Sequence, residues 1–321
     1  MAAATPVTYQ VTHSTRYDYA TEVFQARHWL HLRPRDLEHQ VVCAQGLIVD
    51  PGPVETHSVI DAFGNDTLQL VIERPHASLE VIAELQVELK PRPPIAVNEV
   101  YDWKRLRDEL VYTSVPRSGA ELEALRYRFE SPQVRIKNVF SEFAEACFGP
   151  GDSVLGGAIN LMHKLYEDLT YKPGATTTHT SLMEVLEKRH GVCQDYAHLM
   201  IACMRSLGLS ARYVSGYLRT APLADSRVDN NGAEKNMARS LIGADASHAW
   251  VAVYSPPFGW VDLDPTNNLV VNTDHITLGW GRDFSDVSPL RGVITGGGAH
   301  KLAVAVSVVP VPKSAAQSES H

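Results

Sequence analysis

Alternating apolar and polar positions predict β-structure in the first part of the chain. Residues 7–11 alternate valine and tyrosine with threonine and glutamine, which is the period of a strand with one buried face. Residues 79–89 repeat this pattern, with glutamate or glutamine at most of the alternate positions. One apolar face and one polar face are typical of antiparallel sheets. We therefore predict an N-terminal antiparallel β-sandwich domain over residues 1–94.

A proline-rich stretch interrupts this pattern at residues 90–94. Three of its five residues are prolines, which lack the N–H group that a central strand needs. Beyond it, apolar residues between positions 139 and 165 recur every three or four positions, as they do in helices. The predicted fold class is thus α+β, with a second domain over residues 95–312 that includes C-terminal strands. The polar tail 313–321 has no periodic apolar pattern and is predicted to be disordered.

A further helix and three strands are predicted in the second domain. The helix is expected to begin at Cys193 or Gln194 and to end at Gly208, because glycine suits a left-handed C-cap. The strands follow at Ala211–Leu218, His248–Tyr254 and Trp260–Asp264. A polar segment, residues 220–246, separates the first two strands. A loop of that length is either functional or flexible, and its position just before His248 suggests that it covers a cleft.

Composition and charge exclude several classes of partner. The formal net charge of −8 argues against a nucleic acid or an anionic membrane, since both would repel an acidic surface. No apolar run approaches the roughly 20 residues that cross a bilayer, and the first residues do not have the pattern of a secretory signal. The four cysteines lack paired metal-type spacing, which favours reduced thiols and a cytoplasmic location. No sequence feature indicates an oligomeric state.

One of the four cysteines is a candidate nucleophile. Cys193 lies in the stretch Gly-Val-Cys-Gln-Asp-Tyr-Ala-His, where a loop is predicted to become a helix. Free N–H groups and the helix dipole favour a negative charge at that position, and the same N–H groups could hold an oxyanion. A cysteine at a helix start is, by itself, more often a small buried hydrophobic residue. The other three, Cys43, Cys147 and Cys203, are predicted to be core residues.

A predicted hairpin brings a histidine and an aspartate to the same face. If the five-residue turn 255–259 closes the hairpin, Tyr254 pairs with Trp260, and Asp264 lies opposite Trp250. Asp264 is then a diagonal neighbour of His248, at the roughly 7–8 Å backbone separation that a carboxylate and an imidazole can bridge. A register slip of one residue would turn the acid to the other face.

The three stretches together resemble the bacterial transglutaminase-like family. The resemblance rests on Gly-Val-Cys-Gln-Asp-Tyr-Ala-His, Ser-His-Ala-Trp and Asp-Pro-Thr, and it is specific over about residues 171–268. It implies a papain-like or transglutaminase-like core, preceded by the family's N-terminal β-domain. It also implies a triad in which Cys193 is the nucleophile, His248 the base and Asp264 the orienting acid. No cofactor and no metal are expected.

Several neighbouring residues are open to two interpretations. Gln194 is either a first-turn helix residue or a contributor to the oxyanion site, and Tyr171 either lines the cleft or ends a helix. Asp195 is explained as an acid that favours the first helical turn. His198 is expected to pack in the core, since it faces partly away from the cysteine. Asp262 is an alternative candidate for the orienting acid. The Pro-Thr that follows Asp264 favours Asp264 for this role.

The leading functional prediction is a cysteine hydrolase, a peptidase or amidase that acts on a peptide or protein substrate. It would cleave a peptide, isopeptide or glutamine-type amide through a thioester acyl-enzyme. The same triad could instead pass the acyl group to an amine, as a transglutaminase does. A third interpretation is a non-catalytic protein-binding scaffold. A fourth is a metal site formed by Cys193, His198 and His248, although these residues lack the usual paired spacing of ligands.

Overall fold

The structure, a computed structural model, describes residues 5–95, 101–111, 113, 116–178, 180–219, 242 and 247–312. The described chain is α+β, as predicted. Its strands are β1 (Val7–Leu30), β2 (Gln40–Asp50), β3 (Glu55–Ile60), β4 (Asp66–Ile72), β5 (His76–Leu89), β6 (Thr170–Tyr171), β7 (His190–Gly191), β8 (Ala211–Leu218), β9 (His248–Ser255), β10 (Gly259–Asp264), β11 (Leu269–Val270), β12 (His275–Gly281), β13 (Leu290–Gly296) and β14 (His300–Pro310). Its helices are α1 (Trp103–Glu109), α2 (Gly119–Leu125), α3 (Asn138–Glu145), α4 (Val154–Asp168), α5 (Leu182–Lys188), α6 (Cys193–Ser206) and α7 (Phe284–Val287).

The N-terminal strands form an antiparallel sheet of seven strands around the long strand β1. The main order is β2-β5-β1-β4-β3, and β13 and β14 also pair with β1. The register of β1 shifts between Asp18 and Val23, so its first half pairs with β5 and β14 and its second half with β4 and β13. Buried residues of the second half of β1, such as Val23, meet buried residues of β5, such as Leu79, in one apolar cluster. The sheet therefore encloses its own core, in keeping with the predicted sandwich.

Strands β13 and β14 are not where the sequence analysis places them. The predicted division assigns them to the second domain, within 95–312, but both pair with β1 of the N-terminal sheet. The local pattern of β14 identifies a strand, whereas its partner, nearly 300 residues away in the chain, is set by tertiary packing. The linker prediction at 90–94 agrees with the structure, since β5 ends at Leu89 and the next described residues are not in a strand. The predicted tail 313–321 lies outside the described residues.

The second sheet carries the candidate site and packs against the helices. Its order is β11-β10-β9-β8-β12, and all of its pairs are antiparallel. Helix α6 is almost entirely buried between this sheet and the neighbouring helices, where its apolar residues join the largest core cluster. The helix begins at Cys193, and Gly208 follows it with a φ of +78°, both as predicted. A left-handed residue at that point lets Leu209 donate its N–H to the carbonyl of Met204 and close the last turn.

The N-terminal sheet supports the strands β8 and β12 of the second sheet. Tyr9 and Val11 share an apolar cluster with Tyr217 and Ile276. The amide of Gln40 donates to the carbonyl of Thr277 at 2.7 Å, and its oxygen accepts the N–H of the same residue at 2.8 Å. These contacts fix the start of β12, which lies beside the candidate site.

The cysteines follow the prediction with one exception. All four are free, and Cys147 and Cys203 are buried. Cys43 is exposed, so its assignment to the core is wrong: it lies on β2, an edge strand whose residues are mostly accessible. The cytoplasmic location stays a prediction. Within the described ranges, no helix is long and apolar enough to cross a membrane.

Candidate active site

The loop before Cys193 is held rigidly, which fixes the position of the thiol. Oδ2 of Asp195 accepts the N–H of Val192 at 2.8 Å and the hydroxyl of Thr176 at 2.6 Å. A Cβ at Gly191 would lie 2.7 Å from Asp195, so only glycine fits there without a shift of the neighbouring residues. Cys193 follows as the first residue of α6 and is partly buried. N–H groups in the first turn of a helix have no acceptor within the helix, so those beside the thiol are available to an anion.

The predicted hairpin has the predicted register. Tyr254 pairs with Trp260, and Leu263 pairs with Val251. In this register Asp264 lies opposite the residue before Val251, which is Trp250. Nε2 of His248 donates to Oδ2 of Asp264 at 2.9 Å, and both side chains are fully buried. Ser255 and Gly259 are themselves paired, and this register turns the acid and the imidazole to the same face of the sheet.

The carboxylate of Asp264 is fully occupied by donors. Oδ1 accepts the N–H groups of Thr266 at 2.9 Å and Asn267 at 3.2 Å. Oδ2 accepts the side-chain amide of Asn267 at 2.8 Å and Nε2 of His275 at 3.0 Å, in addition to His248. Burial by itself raises the pKa of Asp264, but the charge of His248 and these hydrogen bonds hold it well below its usual range. The residue is therefore a carboxylate in a site that excludes water.

His248 is held by Asp264, and Cys193 also affects its charge state. Burial lowers the pKa of His248, but the Asp264 carboxylate, followed by Cys193, outweighs burial and raises it. Because Nε2 is bonded to Asp264, Nδ1 is the ring nitrogen left for the sulfur. Nδ1 has no hydrogen-bond partner among the described residues. An imidazole with one nitrogen bonded to a carboxylate and the other without a partner is suited to accept a proton from a thiol.

A buried tryptophan packs against both histidines. The ring of Trp250 lies almost parallel to His248, with centroids 6.2 Å apart, and edge-on to His275 at 5.2 Å. Gly216 of β8 makes room for it, since a Cβ there would lie 2.3 Å from the Trp250 ring. Trp250 therefore fixes both imidazoles by packing.

The remaining predicted residues have different surroundings. Gln194 lies beside the thiol in the first turn of α6 and is partly exposed. Tyr171 pairs with Gly191 in the short parallel ladder of β6 and β7, and Gly191 precedes Cys193 by two residues. Tyr171 also packs against the main core. Asp262 forms an ion pair with Arg92 at 2.6 Å and not with His248.

His198 packs in the core, as expected. Nε2 of His198 accepts the backbone N–H of Phe284 at 3.1 Å, and its ring lies 5.0 Å from that of Tyr213. Burial lowers the pKa of His198 to about 4 and keeps the ring neutral. His198 therefore stabilises α7 and the core, and it is not part of the site around His248.

Sequence reasoning missed His275 and Asn267. Asn267 follows Asp264 in an Asp-Pro-Thr-Asn turn, where side chains commonly bond nearby backbone, so its proximity had a local signal. His275 begins β12, which is three strands from β10 in the order of the sheet. No local pattern indicates that approach, which depends on the curvature of the sheet.

The geometry also bears on a metal site. The predicted set of Cys193, His198 and His248 is not brought together, because His198 faces Phe284. Within the described part of the chain, one group has the residue types and proximity for a metal, namely His248, Asp264 and His275, whose ligand atoms lie within 4.8 Å of one another. The Nε2 and Oδ2 atoms of this group are already paired by hydrogen bonds of ordinary length. Hydrogen bonds from the N–H groups of the two histidines to the carboxylate therefore explain the cluster.

Comparison with known proteins agrees with this architecture. The model of the transglutaminase-like superfamily core matches residues 141–265, and that of the bacterial transglutaminase-like N-terminal region matches residues 9–88. A Mycobacterium tuberculosis protein described as uncharacterized is 35% identical over 310 residues, which cover 94% of this chain and 92% of that protein. A Mycobacterium leprae protein, likewise uncharacterized, is 31% identical over 299 residues, covering 93% of this chain and 97% of its own length.

One further relative and one solved structure carry descriptive names. A Pseudomonas aeruginosa protein named protein-glutamine gamma-glutamyltransferase is 27% identical over 166 residues, which cover 51% of this chain and 20% of that protein. The crystal structure of a Cytophaga hutchinsonii protein, described as a candidate cysteine protease, aligns with a TM-score of 0.71 and 20% identity. The alignment covers 97% of this chain and 93% of that chain, and at that identity it shows a shared fold.

Proposed function

The chain belongs to the transglutaminase-like superfamily, and on that premise we propose that it is a cysteine hydrolase of peptide, isopeptide or glutamine-type amide bonds. Members of this superfamily are typically cysteine enzymes. The observation that carries the proposal is the imidazole of His248. Its Nε2 is bonded to a buried carboxylate, and its Nδ1 is left for the thiol of Cys193.

In the proposed resting state the thiol proton is already on Nδ1 of His248, which leaves a thiolate beside an imidazolium. The sulfur of Cys193 attacks the carbonyl carbon of the amide, and the oxygen takes up negative charge beside the free N–H groups at the start of α6. His248 then returns the proton to the departing nitrogen, the carbon–nitrogen bond breaks, and a thioester remains. Asp264 stabilises the charged ring throughout and keeps its proton on Nε2.

Water ends the cycle in this proposal. His248 accepts a proton from water, the hydroxide attacks the thioester carbon, and the carbon–sulfur bond breaks to give an acid and the Cys193 thiolate, paired again with the protonated His248. Hydrolysis is preferred because water needs no binding site of its own, whereas a second amine substrate does. The expected partner is therefore a single peptide or protein substrate.

Acyl transfer to an amine is the second candidate. Its support is the Pseudomonas aeruginosa relative, whose name describes the transfer of a glutamyl group. The first half of the reaction would be identical, with an amine in place of water in the second half. The two candidates thus differ only in what attacks the thioester.

One experiment separates these candidates. The wild type is incubated with a panel of peptides and isopeptides, one of them containing glutamine, in the presence of a fluorescent amine. Cleavage or ammonia release without label supports hydrolysis, whereas incorporation of the amine supports transfer. The Cys193→Ala variant should abolish either activity, and Cys43→Ala, which removes an exposed cysteine, should retain it. If Cys193→Ala turns the panel over as fast as the wild type, both candidates are refuted; if the wild type turns over no member of the panel, the scaffold interpretation is favoured.

A further inference from the structure

His275 is a buried histidine to which the proposed reaction assigns no role. It begins β12, where its backbone pairs with Leu218, and its side chain is fully buried. Its Nε2 lies 3.0 Å from Oδ2 of Asp264, the same oxygen that accepts from His248 at 2.9 Å. The side-chain bonds of Gln40 to Thr277, two residues later, hold this end of the strand against the N-terminal sheet. The contact is therefore built into the fold.

The hydrogen bond defines the protonation of the ring. A carboxylate oxygen only accepts hydrogen bonds, so Nε2 of His275 must carry a hydrogen. Burial lowers the pKa of His275, opposed by the hydrogen bond and charge of Asp264 and, more weakly, by Asp274, while the charge of His248 lowers it further. The ring is therefore neutral near pH 7, with hydrogen on Nε2 and a lone pair on Nδ1. Nδ1 has no hydrogen-bond partner among the described residues.

A neutral donor suits this position better than a charged one. Asp264 is completely buried, and an ionised carboxylate without hydrogen bonds would take up a proton there. A second cation beside Asp264 would satisfy it but would also repel the imidazolium of His248, whose ring centroid is 6.2 Å away. The neutral N–H of His275 stabilises the carboxylate without that repulsion.

We propose that His275 is a positioning residue, which holds Asp264 ionised and oriented so that Asp264 can stabilise the imidazolium of His248. The inference rests on the proposed function, because it assigns His275 a part in the reaction of Cys193. His275 contacts neither the thiol nor the substrate carbonyl in this scheme. It acts only through Asp264.

The first test examines the wild-type protein by nitrogen-15 NMR of its histidine rings. We expect His275 to be neutral with hydrogen on Nε2 at pH 7, and His248 to be doubly protonated. His275→Gln is used to assign the signal. A ring that carries hydrogen on Nδ1 alone, or that is doubly protonated at pH 7, overturns the proposal.

The second test compares two variants at this position. His275→Gln places an amide N–H near the former Nε2, whereas His275→Met has similar bulk and no donor. The readout is alkylation of Cys193 by iodoacetamide between pH 5 and 8, which needs no substrate. His275→Met should slow alkylation at the acidic end by about 10-fold to 100-fold, the effect expected when a hydrogen bond to a charged group is lost. His275→Gln should remain within about 3-fold of the wild type, since the donor is retained.

The two kinds of failure can be told apart. If wild-type Cys193 reacts no faster at pH 5 than the exposed Cys43, the proposed function fails. If wild-type Cys193 reacts fast and folded His275→Met keeps the same rates and pH profile, only the role of His275 fails. A merely structural role would lower the melting temperature of His275→Met and leave the pH profile of the folded protein unchanged, which also overturns the proposal.

Discussion

Nε2 of His248 lies 2.9 Å from Oδ2 of Asp264, and neither side chain is accessible to solvent. The two residues face each other diagonally across the hairpin of β9 and β10, so the length of the turn between these strands determines whether they meet. Removing one partner of a buried ion pair leaves the other uncompensated, at a typical cost of about 3–5 kcal/mol. The pair therefore contributes both to folding and to the charge state of the imidazole.

Replacing Asp264 by asparagine should shift the pH dependence of activity. The carboxylate raises the pKa of His248 in the folded protein, so the imidazolium persists as pH rises until that raised pKa is reached. Without the carboxylate, burial dominates and the pKa falls, so the alkaline limb of kcat/KM should move to lower pH. We expect kcat to fall by roughly 10³-fold to 10⁴-fold, as when an orienting acid is removed from comparable triads.

The control for this variant is Asp262→Asn, which alters an acid two residues earlier on the same strand. Asp262 forms an ion pair with Arg92 and not with His248. The alkaline limb of kcat/KM should therefore be the same in Asp262→Asn as in the wild type. An unmoved limb in Asp264→Asn, or an equal movement in the control, would contradict the assignment of Asp264.

Replacing Gly216 by alanine should disturb the packing of the two histidines. The new Cβ would lie 2.1 Å from the carbonyl oxygen of Ile276 and 2.3 Å from the ring of Trp250. We expect a loss of about 1–3 kcal/mol in the free energy of unfolding, measured in urea, because overpacking displaces neighbouring groups. Turnover by the folded variant should also fall, since Trp250 packs against His248. Gly119→Ala, where nothing lies within 4 Å of the new Cβ, should match the wild type in both.

Replacing His198 by leucine should affect stability and leave the chemistry intact. The N–H of Phe284 loses its acceptor, and an unsatisfied buried donor costs about 1–3 kcal/mol. The free energy of unfolding should fall by that amount, while kcat per folded molecule remains near the wild-type value. A stable variant with a strongly reduced kcat would instead place His198 in the reaction.

The protein should lose stability as the pH falls from about 6.5 to about 4. Burial lowers the pKa values of His13, His28 and His198 to about 4, whereas unfolded histidines titrate near 6.5. In that interval the unfolded chain binds more protons than the folded one, so acid favours unfolding, by up to about 3 kcal/mol per histidine. His13→Gln should reduce the slope of the free energy of unfolding against pH. An identical slope in the variant would show that His13 titrates normally in the folded protein.

Local relationships could be predicted from the sequence, and distant ones could not. The start of α6 at Cys193 and the register that joins His248 to Asp264 depend on nearby residues and on the length of one turn. The pairing of β14 with β1 and the approach of His275 to Asp264 depend on how the sheets curve and associate. The exposure of Cys43 likewise follows from the edge position of β2, which no local pattern indicates.

The central claim is that Cys193 and His248 form a reactive pair, and the alkylation of Cys193 at acidic pH tests it most directly. The rate with iodoacetamide at pH 5 is measured by mass spectrometry for the wild type and for His248→Ala, with Cys43 in the same molecule as an ordinary exposed thiol. A thiolate paired with imidazolium reacts at a pH where ordinary thiols are almost fully protonated. We expect Cys193 to react at least about 10-fold faster than Cys43 in the wild type and to lose that advantage in His248→Ala. Equal rates for the two cysteines in the wild type, or a Cys193 rate unaffected by the loss of His248, would contradict the account.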